Sequence, residues 1–354
     1  MPVSNPLSGN PPGVPAGNED RVEVDVLAAI GNTPLIALKD FFERRDIELW
    51  AKIESLNPGG SSKDRSAARM IEDGLAAGLI GSDSTVIEST SGNLGIGLAQ
   101  VCLAHGLRLI CVVDSRTDES KQRKMRDLGA EVRVVTEPDP ETGDLLAARL
   151  ALVEQLLDQT PRSWQPDQYA NPSNPAAHRE TMAEIDGALG GEVDWLFVAT
   201  STTGTLRGCC DYLVDHSRTT KVVAVDAVGS VLFGGDWGVR KLPGLGAGIA
   251  TELSKQAWFD HLVRVSEIDC VVGCRRLAHQ GIFVGASAGG VAMAADYLSP
   301  MMDSGERCAM IFADGGEGYL DTVYDDAWVE RELGVAPSEL HAMSGPERRT
   351  ARTA

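Results

Sequence analysis

SLNPGGSSKDRSAARMIEDGLAAG, residues 55–78, holds a tight turn, one lysine and the start of a helix. Asn57-Pro58-Gly59-Gly60 is a turn, because proline fixes φ and the two glycines admit positive φ. Ser61 and Ser62 lead to Lys63, and Asp64 is placed to cap the helix behind it. Ala67, Ile71 and Leu75 share one face of that helix, with Gly74 and Gly78 near its end. A lysine just ahead of a helix start lies near the positive end of the macrodipole, and partial burial there lowers its pKa. Such an amine suits a Schiff base with a carbonyl cofactor. An isolated lysine in this position is more often simply solvated, since burial rather than proximity drives large shifts.

Working outward, the chain has 354 residues, enough for two domains or one large α/β unit, and 43% of them are hydrophobic. Thirty-two Lys and Arg stand against 51 Asp and Glu, a net charge of −19. Nucleic acid and anionic membrane surfaces need a basic face, so neither is an expected partner. A small anionic substrate remains compatible, because a local basic pocket can form on an acidic protein. No apolar run is long enough to span a bilayer. The first twenty residues lack the basic and apolar segments of a secretory signal, so a cytoplasmic protein is expected. Seven scattered cysteines read as reduced and mostly buried. Cys270 and Cys274 lie four apart on an expected helix, but no His or Cys pair elsewhere completes a metal site.

Residues 1–20 and the segment from Ser344 are rich in Pro, Gly, Ser and charge and read as tails. Between them strands and helices alternate. Strands are expected at 48–54, 85–88, 107–113, 131–135, 195–199 and 222–225, with Met310–Phe312 closing the sheet. Helices are expected through Leu98, at 120–128, at 145–157, up to Leu189, and from a cap at Ser266 with Asp269 three residues on. This rhythm implies parallel sheets covered by helices on both faces. Ligands on such sheets bind at the carboxyl ends of strands.

Three strand-to-helix junctions carry small polar residues. Ser201-Thr202-Thr203-Gly204-Thr205 can converge on a phosphate at a helix N-terminus, or is an ordinary Ser/Thr-rich turn. It is neither a Walker A loop nor a GxGxxG fingerprint. Ser89-Thr90-Ser91-Gly92-Asn93 suits a carboxylate, or is a capping turn. Ser287, inside Gly285–Gly290, can meet a heterocyclic nitrogen or serve as an N-cap. Jointly, a reactive lysine, a phosphate loop and a carboxylate loop fit an aldehyde-bearing phosphate cofactor and an amino acid. That is pyridoxal phosphate chemistry.

At this point the chain resembles the fold-type II pyridoxal-phosphate enzymes of the cysteine synthase / cystathionine β-synthase family. The resemblance covers residues 25–325, through NPGGSSKDR, TSGNLG, QYANPSNP, STTGT, GASAG and DGGEGYL in family order. It implies an α/β fold of two doubly wound, mostly parallel sheet domains with the cofactor in the cleft between them. Residues 21–65 and 171–335 would form the larger, cofactor-binding domain, 66–170 a smaller mobile one, and 336–354 a flexible tail. A homodimer acting on amino acids is implied as well. Lys63 would carry the cofactor and later move protons, and Asn93 would bond its 3′ oxygen. Ser201, Thr202, Thr203, Gly204 and Thr205 would hold its phosphate, and Ser287 would face the pyridine nitrogen. Ser89, Thr90, Ser91 and Gly92 would bind the substrate carboxylate with help from Gln168.

Departures from the family pattern bear on substrate choice. The phosphate loop reads STTGT where GTGGT is common, Leu94 and Tyr169 stand where Thr and Phe are usual, and Gly318 replaces an Arg. The segment VSEIDCVVGCRRLAHQGIFVGASAG from Val265 looks like the branch that joins O-phospho-L-serine to L-glutamate. Its product, N-(2-amino-2-carboxyethyl)-L-glutamate, leads to 2,3-diaminopropionate for siderophores and peptide antibiotics. Ser201 and Tyr169 would then serve the second substrate or the departing phosphate, with Arg116, Arg207 and Arg240 as available charges. The alternatives are a cysteine synthase using an activated serine and sulfide, a catalytically idle binding subunit, and a dinucleotide-dependent dehydrogenase. Intact Lys63, Asn93 and Ser287 weigh against an idle subunit. The absence of GxGxxG in the first βαβ unit weighs against the dehydrogenase.

Overall fold

A computed structural model describes residues 26–345 except Ser91, Thr142 and Asp144; the expected N-terminal tail lies outside these residues. In chain order the strands are β1 (Leu35–Ala37), β2 (Glu48–Ile53), β3 (Thr85–Ser89), β4 (Arg108–Asp114), β5 (Glu131–Val135), β6 (Ser163–Trp164), β7 (Trp195–Ala199), β8 (Lys221–Ala227), β9 (His261–Val265) and β10 (Arg307–Phe312). The helices are α1 (Lys63–Ala76), α2 (Asn93–Ala104), α3 (Glu119–Asp127), α4 (Leu145–Gln159), α5 (Ser173–Ala188), α6 (Gly204–Asp215), α7 (Glu267–Ala278), α8 (Ala286–Leu298), α9 (Asp326–Leu333) and α10 (Pro337–Ser344).

Two sheets result, ordered β1-β2-β10-β7-β8-β9 and β5-β4-β3-β6. All pairings are parallel except β1 with β2. Strands β3, β4, β7, β8 and β10 are buried on both faces, because side chains alternate between faces and helices cover both. Trp195, Phe197, Val223 and Val225 pack with α7 and α8, while Leu196, Val198, Val222 and Ala224 pack with α5 and α6. In the smaller sheet Val86, Leu109 and Cys111 face α1 and α2, and Ile87, Ile110 and Val112 face Val153 of α4. Each such side chain contributes about 1.5–3 kcal/mol when taken from water.

Four expectations change. Asp64 does not cap α1: it lies within the helix, and its carboxylate instead accepts the Gly59 N–H. Met310–Phe312 does not close the sheet, because β10 runs between β2 and β7. The edge on that side is β9, which the sequence reading passed over. The flexible tail placed at 336–354 is too long, since Pro337 opens α10 and buries Leu340 against the core. Proline preset for the first helical turn and an apolar anchor account for that extension. The expected capping box is present: Ser266 accepts from the Asp269 N–H at 3.2 Å, and the Asp269 carboxylate accepts from Ser266 N at 2.8 Å.

Candidate active site

Three loops leave the carboxyl edge of the larger sheet side by side, because β2, β10 and β7 are neighbours. After β2 comes the lysine turn, after β10 comes Ala313-Asp314, and after β7 comes the threonine loop. Lys63, Ser201, Thr202, Thr203 and Thr205 line one small cavity. Ser62 N donates to the Ala313 carbonyl at 2.8 Å, which pins the lysine turn to the end of β10. Burial lowers the Lys63 amine below its ordinary value, while the negative charges of Asp314 and Glu54 push it back up.

A buried charge network holds the turn from below. Arg65, two residues past the lysine, forks onto Glu54 at 2.8 and 2.9 Å and onto Glu184 at 2.7 and 2.8 Å. Thr33 donates to Glu54 at 2.6 Å, and Asn57 donates to it at 3.1 Å. Burial raises Glu184, but Arg65 and Lys52 outweigh that and hold it at about 2. Removing one partner from such a buried cluster costs about 3–5 kcal/mol, so the lysine turn is rigidly based. Lys124 adds a tie from α3, donating to the Gly59 carbonyl at 2.9 Å.

The threonine loop reaches α6 through Thr203, whose φ of 67° is left-handed. Gly204 follows, where a Cβ would sit 2.3 Å from Asn174 Oδ1, so only glycine lets α5 approach the loop. Thr203 and Thr205 both line the cavity, so the N-terminus of α6 borders it. Across the site, Asn93 begins α2 and donates to Asp314 Oδ2 at 2.8 Å, and Tyr319 donates to the same oxygen at 2.9 Å. Asp314 Oδ1 is buried without a partner among the described residues. Gly285 N donates to the Asp314 carbonyl at 3.1 Å, which brings the Ser287 loop to this point; Ser287 is buried in the first turn of α8. Asp314 thus joins Asn93 and the Ser287 loop next to Lys63. The motif DGGEGYL held that signal, but the sequence reading gave Asp314 no role.

Ser89, Thr90 and Gly92 stand at the end of β3 and the start of α2, while Ser91 lies outside the described residues. Gln168 Nε2 donates to the Ser89 carbonyl at 3.0 Å. Thr90 spends its hydroxyl oxygen on the N–H groups of Gly92 and Gly95, both at 3.1 Å, so it shapes the loop from within. The Ser89 hydroxyl is buried without a partner among the described residues. Next to this loop Tyr169 is half-buried. Burial raises its phenol, and Arg149 and Arg240 pull it down.

Arg149 was missed by the sequence reading, for α4 shows no motif around it. Its side chain is buried, its Nε lies 3.3 Å from Asp114 Oδ2 at the carboxyl end of β4, and Nε and Nη1 have no hydrogen-bond partner among the described residues. Of the charges expected at the second site, Arg116 pairs with Asp114 while largely exposed, and Arg207 lies 3.8 Å from Asp211 on its own helix. Arg240 donates to the Leu245 carbonyl at 3.2 Å.

The model of the family described as "Pyridoxal-phosphate dependent enzyme" matches residues 26–314. An N-(2-amino-2-carboxyethyl)-L-glutamate synthase from Cupriavidus metallidurans is 42% identical over 311 residues, covering 86% of this chain and 91% of that protein. A protein of the same name from Ralstonia nicotianae is 42% identical over 308 residues, with the same coverage. Among solved structures, the O-acetylserine dependent cystathionine beta-synthase from Helicobacter pylori superposes with a TM-score of 0.79 at 31% identity, covering 85% of this chain and 98% of its own. O-ureido-L-serine synthase gives a TM-score of 0.79 at 30% identity, covering 87% and 99%.

Proposed function

The chain belongs to the pyridoxal-phosphate dependent enzymes, and from that membership we propose that it joins L-glutamate to O-phospho-L-serine, giving N-(2-amino-2-carboxyethyl)-L-glutamate and phosphate. Its cofactor is pyridoxal 5′-phosphate, and the chemistry is β-replacement. The residues of the site fit that group. An amine whose pKa burial lowers shares a cavity with the hydroxyl residues Ser201, Thr202, Thr203 and Thr205 at the start of α6. When bound, the cofactor withdraws electrons from the substrate Cα, so that a substituent on Cβ can leave.

In this reading Lys63 holds the cofactor, takes the proton from the substrate Cα and later returns it. Ser201 to Thr205 would hold the cofactor's phosphate, Asn93 its 3′ oxygen and Ser287 its ring nitrogen. The Ser89 hydroxyl, with Thr90, Ser91, Gly92 and Gln168, would orient the substrate carboxylate. The Cβ–O bond of phosphoserine breaks with its electron pair leaving on phosphate, and the glutamate nitrogen forms the new bond to Cβ. We extend the reading to a cytoplasmic homodimer supplying 2,3-diaminopropionate for siderophore or peptide antibiotic assembly.

One observation favours phosphate as the leaving group: buried Arg149, whose Nε pairs with Asp114 Oδ2 at 3.3 Å while its Nη1 has no hydrogen-bond partner among the described residues. Asp114 already balances the charge of this guanidinium, but a buried N–H without an acceptor is still costly, and a phosphate oxygen would supply one. An acetate leaving group carries one negative charge fewer and makes less use of it. Mass spectrometry of O-phosphoserine plus L-glutamate should show the C–N adduct with released phosphate. Arg149→Met should lower turnover of O-phosphoserine roughly ten- to a hundredfold, the loss of one charge-assisted contact. It should leave O-acetylserine turnover far less affected. A trap with sulfide alone, and no glutamate adduct at saturation, would instead make the chain a cysteine synthase.

A further inference from the structure

We propose that Ser66 and His178 are positioning residues that force the Thr205 hydroxyl to act as a donor toward the cofactor's phosphate, through a hydrogen-bond relay of fixed direction. The proposal rests on Ser201 to Thr205 being the phosphate cup.

The relay starts at the substrate side. Gln168 Nε2 donates to the Ser89 carbonyl at 3.0 Å, and the Gln168 carbonyl accepts from Asn174 Nδ2 at 2.7 Å. That second contact fixes the orientation of the Asn174 amide, so its Oδ1 must accept. Its neighbour at 2.8 Å is Ser66 Oγ, which therefore spends its only proton on Asn174. Ser66 Oγ also lies 3.0 Å from His178 Nε2. Having no proton left for that contact, it accepts, and the proton belongs on Nε2. His178 Nδ1 is then the acceptor for the Thr181 hydroxyl at 3.2 Å. Burial first, then the charges of Lys63 and Arg65, push this imidazole well below its ordinary value, so it is neutral. Thr205 Oγ lies 3.2 Å from the same Nε2. Facing an N–H, it accepts there, and its own proton is left for an acceptor in the cavity that it lines.

Packing makes this geometry possible. Asn174 and His178 are four residues apart on α5, hence on one face. Gly204 and Gly208 of α6 lie against that face; a Cβ at Gly208 would sit 2.1 Å from the Pro175 carbonyl. Two glycines four apart thus let α6 settle onto the two polar side chains. Ser66 arrives from α1, three residues beyond Lys63. The relay therefore ties the lysine helix, the substrate loop and the threonine loop, with the Nε2–H of His178 shared between Ser66 and Thr205 and the Thr205 proton left over for the cavity.

Two measurements test it. The first is the 15N spectrum of histidine-labelled wild-type enzyme, with and without cofactor. His178 should be a neutral Nε2–H tautomer in both states. The second is the Kd of the apoenzyme for pyridoxal 5′-phosphate. Thr205→Val should raise it roughly tenfold or more. Ser66→Ala should raise it about three- to tenfold and shift His178 toward a mixture of tautomers. His178→Gln, which keeps an N–H donor, should lie closer to the parent than His178→Leu. If Thr205→Val leaves the Kd unchanged, the threonine loop is not the phosphate cup and the proposal goes with it. If Thr205→Val weakens binding while wild-type His178 carries its proton on Nδ1, the cup stands and the relay is wrong.

Discussion

Lys63 combines two opposing influences. Burial strips water from its ammonium and favours the neutral amine, and the carboxylates of Asp314 and Glu54 favour the charged form. Desolvation is the larger, so the amine is available as a nucleophile at lower pH than a surface lysine. Borohydride reduction of the holoenzyme followed by peptide mapping should mark Lys63, and Lys63→Ala should release its cofactor on dialysis. A mark on another lysine would falsify the assignment. At the same scale, Asp64 shows how a correct residue can take the wrong role. Its sequence position suggests a cap, yet the helix begins one residue earlier and the carboxylate turns back onto Gly59.

Among the elements, the pairing of α5 with α6 decides most about the site, because Asn174, His178 and the threonine loop meet there. Gly208→Val should overpack this contact, against the Pro175 carbonyl and the His178 Cβ. We expect a loss of about 1–3 kcal/mol or more and a lower Tm in calorimetry. Gly187, near the end of α5, is the internal control. No atom lies within 4 Å of a Cβ built there. Gly187→Ala should therefore stabilise the chain by roughly 0.5–1 kcal/mol through helix propensity. If both substitutions behave alike, the close approach at Gly208 is not what holds the helices together.

For the whole molecule, buried carboxyl groups make stability depend on pH. Glu88 is fully buried at the strand end that carries the substrate loop; burial first, then the charge of Asp167, raises it to about 8. The folded chain holds a proton there that the unfolded chain gives up above the ordinary carboxyl range. That stabilisation is complete below the unfolded pKa and is lost as pH rises through about 8. Glu88→Gln keeps an acceptor for the Ser89 N–H, now 2.9 Å from Oε1, and has no proton to lose. The Tm of the variant should therefore rise relative to the parent between about pH 5 and pH 8, with a slope of up to about 1.4 kcal/mol per pH unit. A constant Tm difference across that range would show that Glu88 is not the group responsible.

Much of this was legible in the chain itself. The alternation of apolar strand runs with helices implied parallel strands with covered faces, because a strand covered on both sides is mostly apolar. Glycine and hydroxyl residues at the strand ends marked the loops, and Pro-Gly-Gly before Lys63 marked the turn. Such features follow from local φ/ψ freedom and local burial, which a sequence carries directly. What the tertiary structure alone decided is adjacency. β2, β10 and β7 begin at residues 48, 307 and 195, and nothing in their composition says that they lie side by side. That order puts Asp314 beside Lys63 and Asn93. Helix packing likewise brings Ser66, Asn174 and His178 within hydrogen-bond reach, and buries Arg149 beside Asp114. These residues lie in helices whose spacing shows only a core face. Their chemistry depends mainly on partners distant in sequence, such as Ser66 for Asn174 and His178, in directions fixed only once the layers have packed.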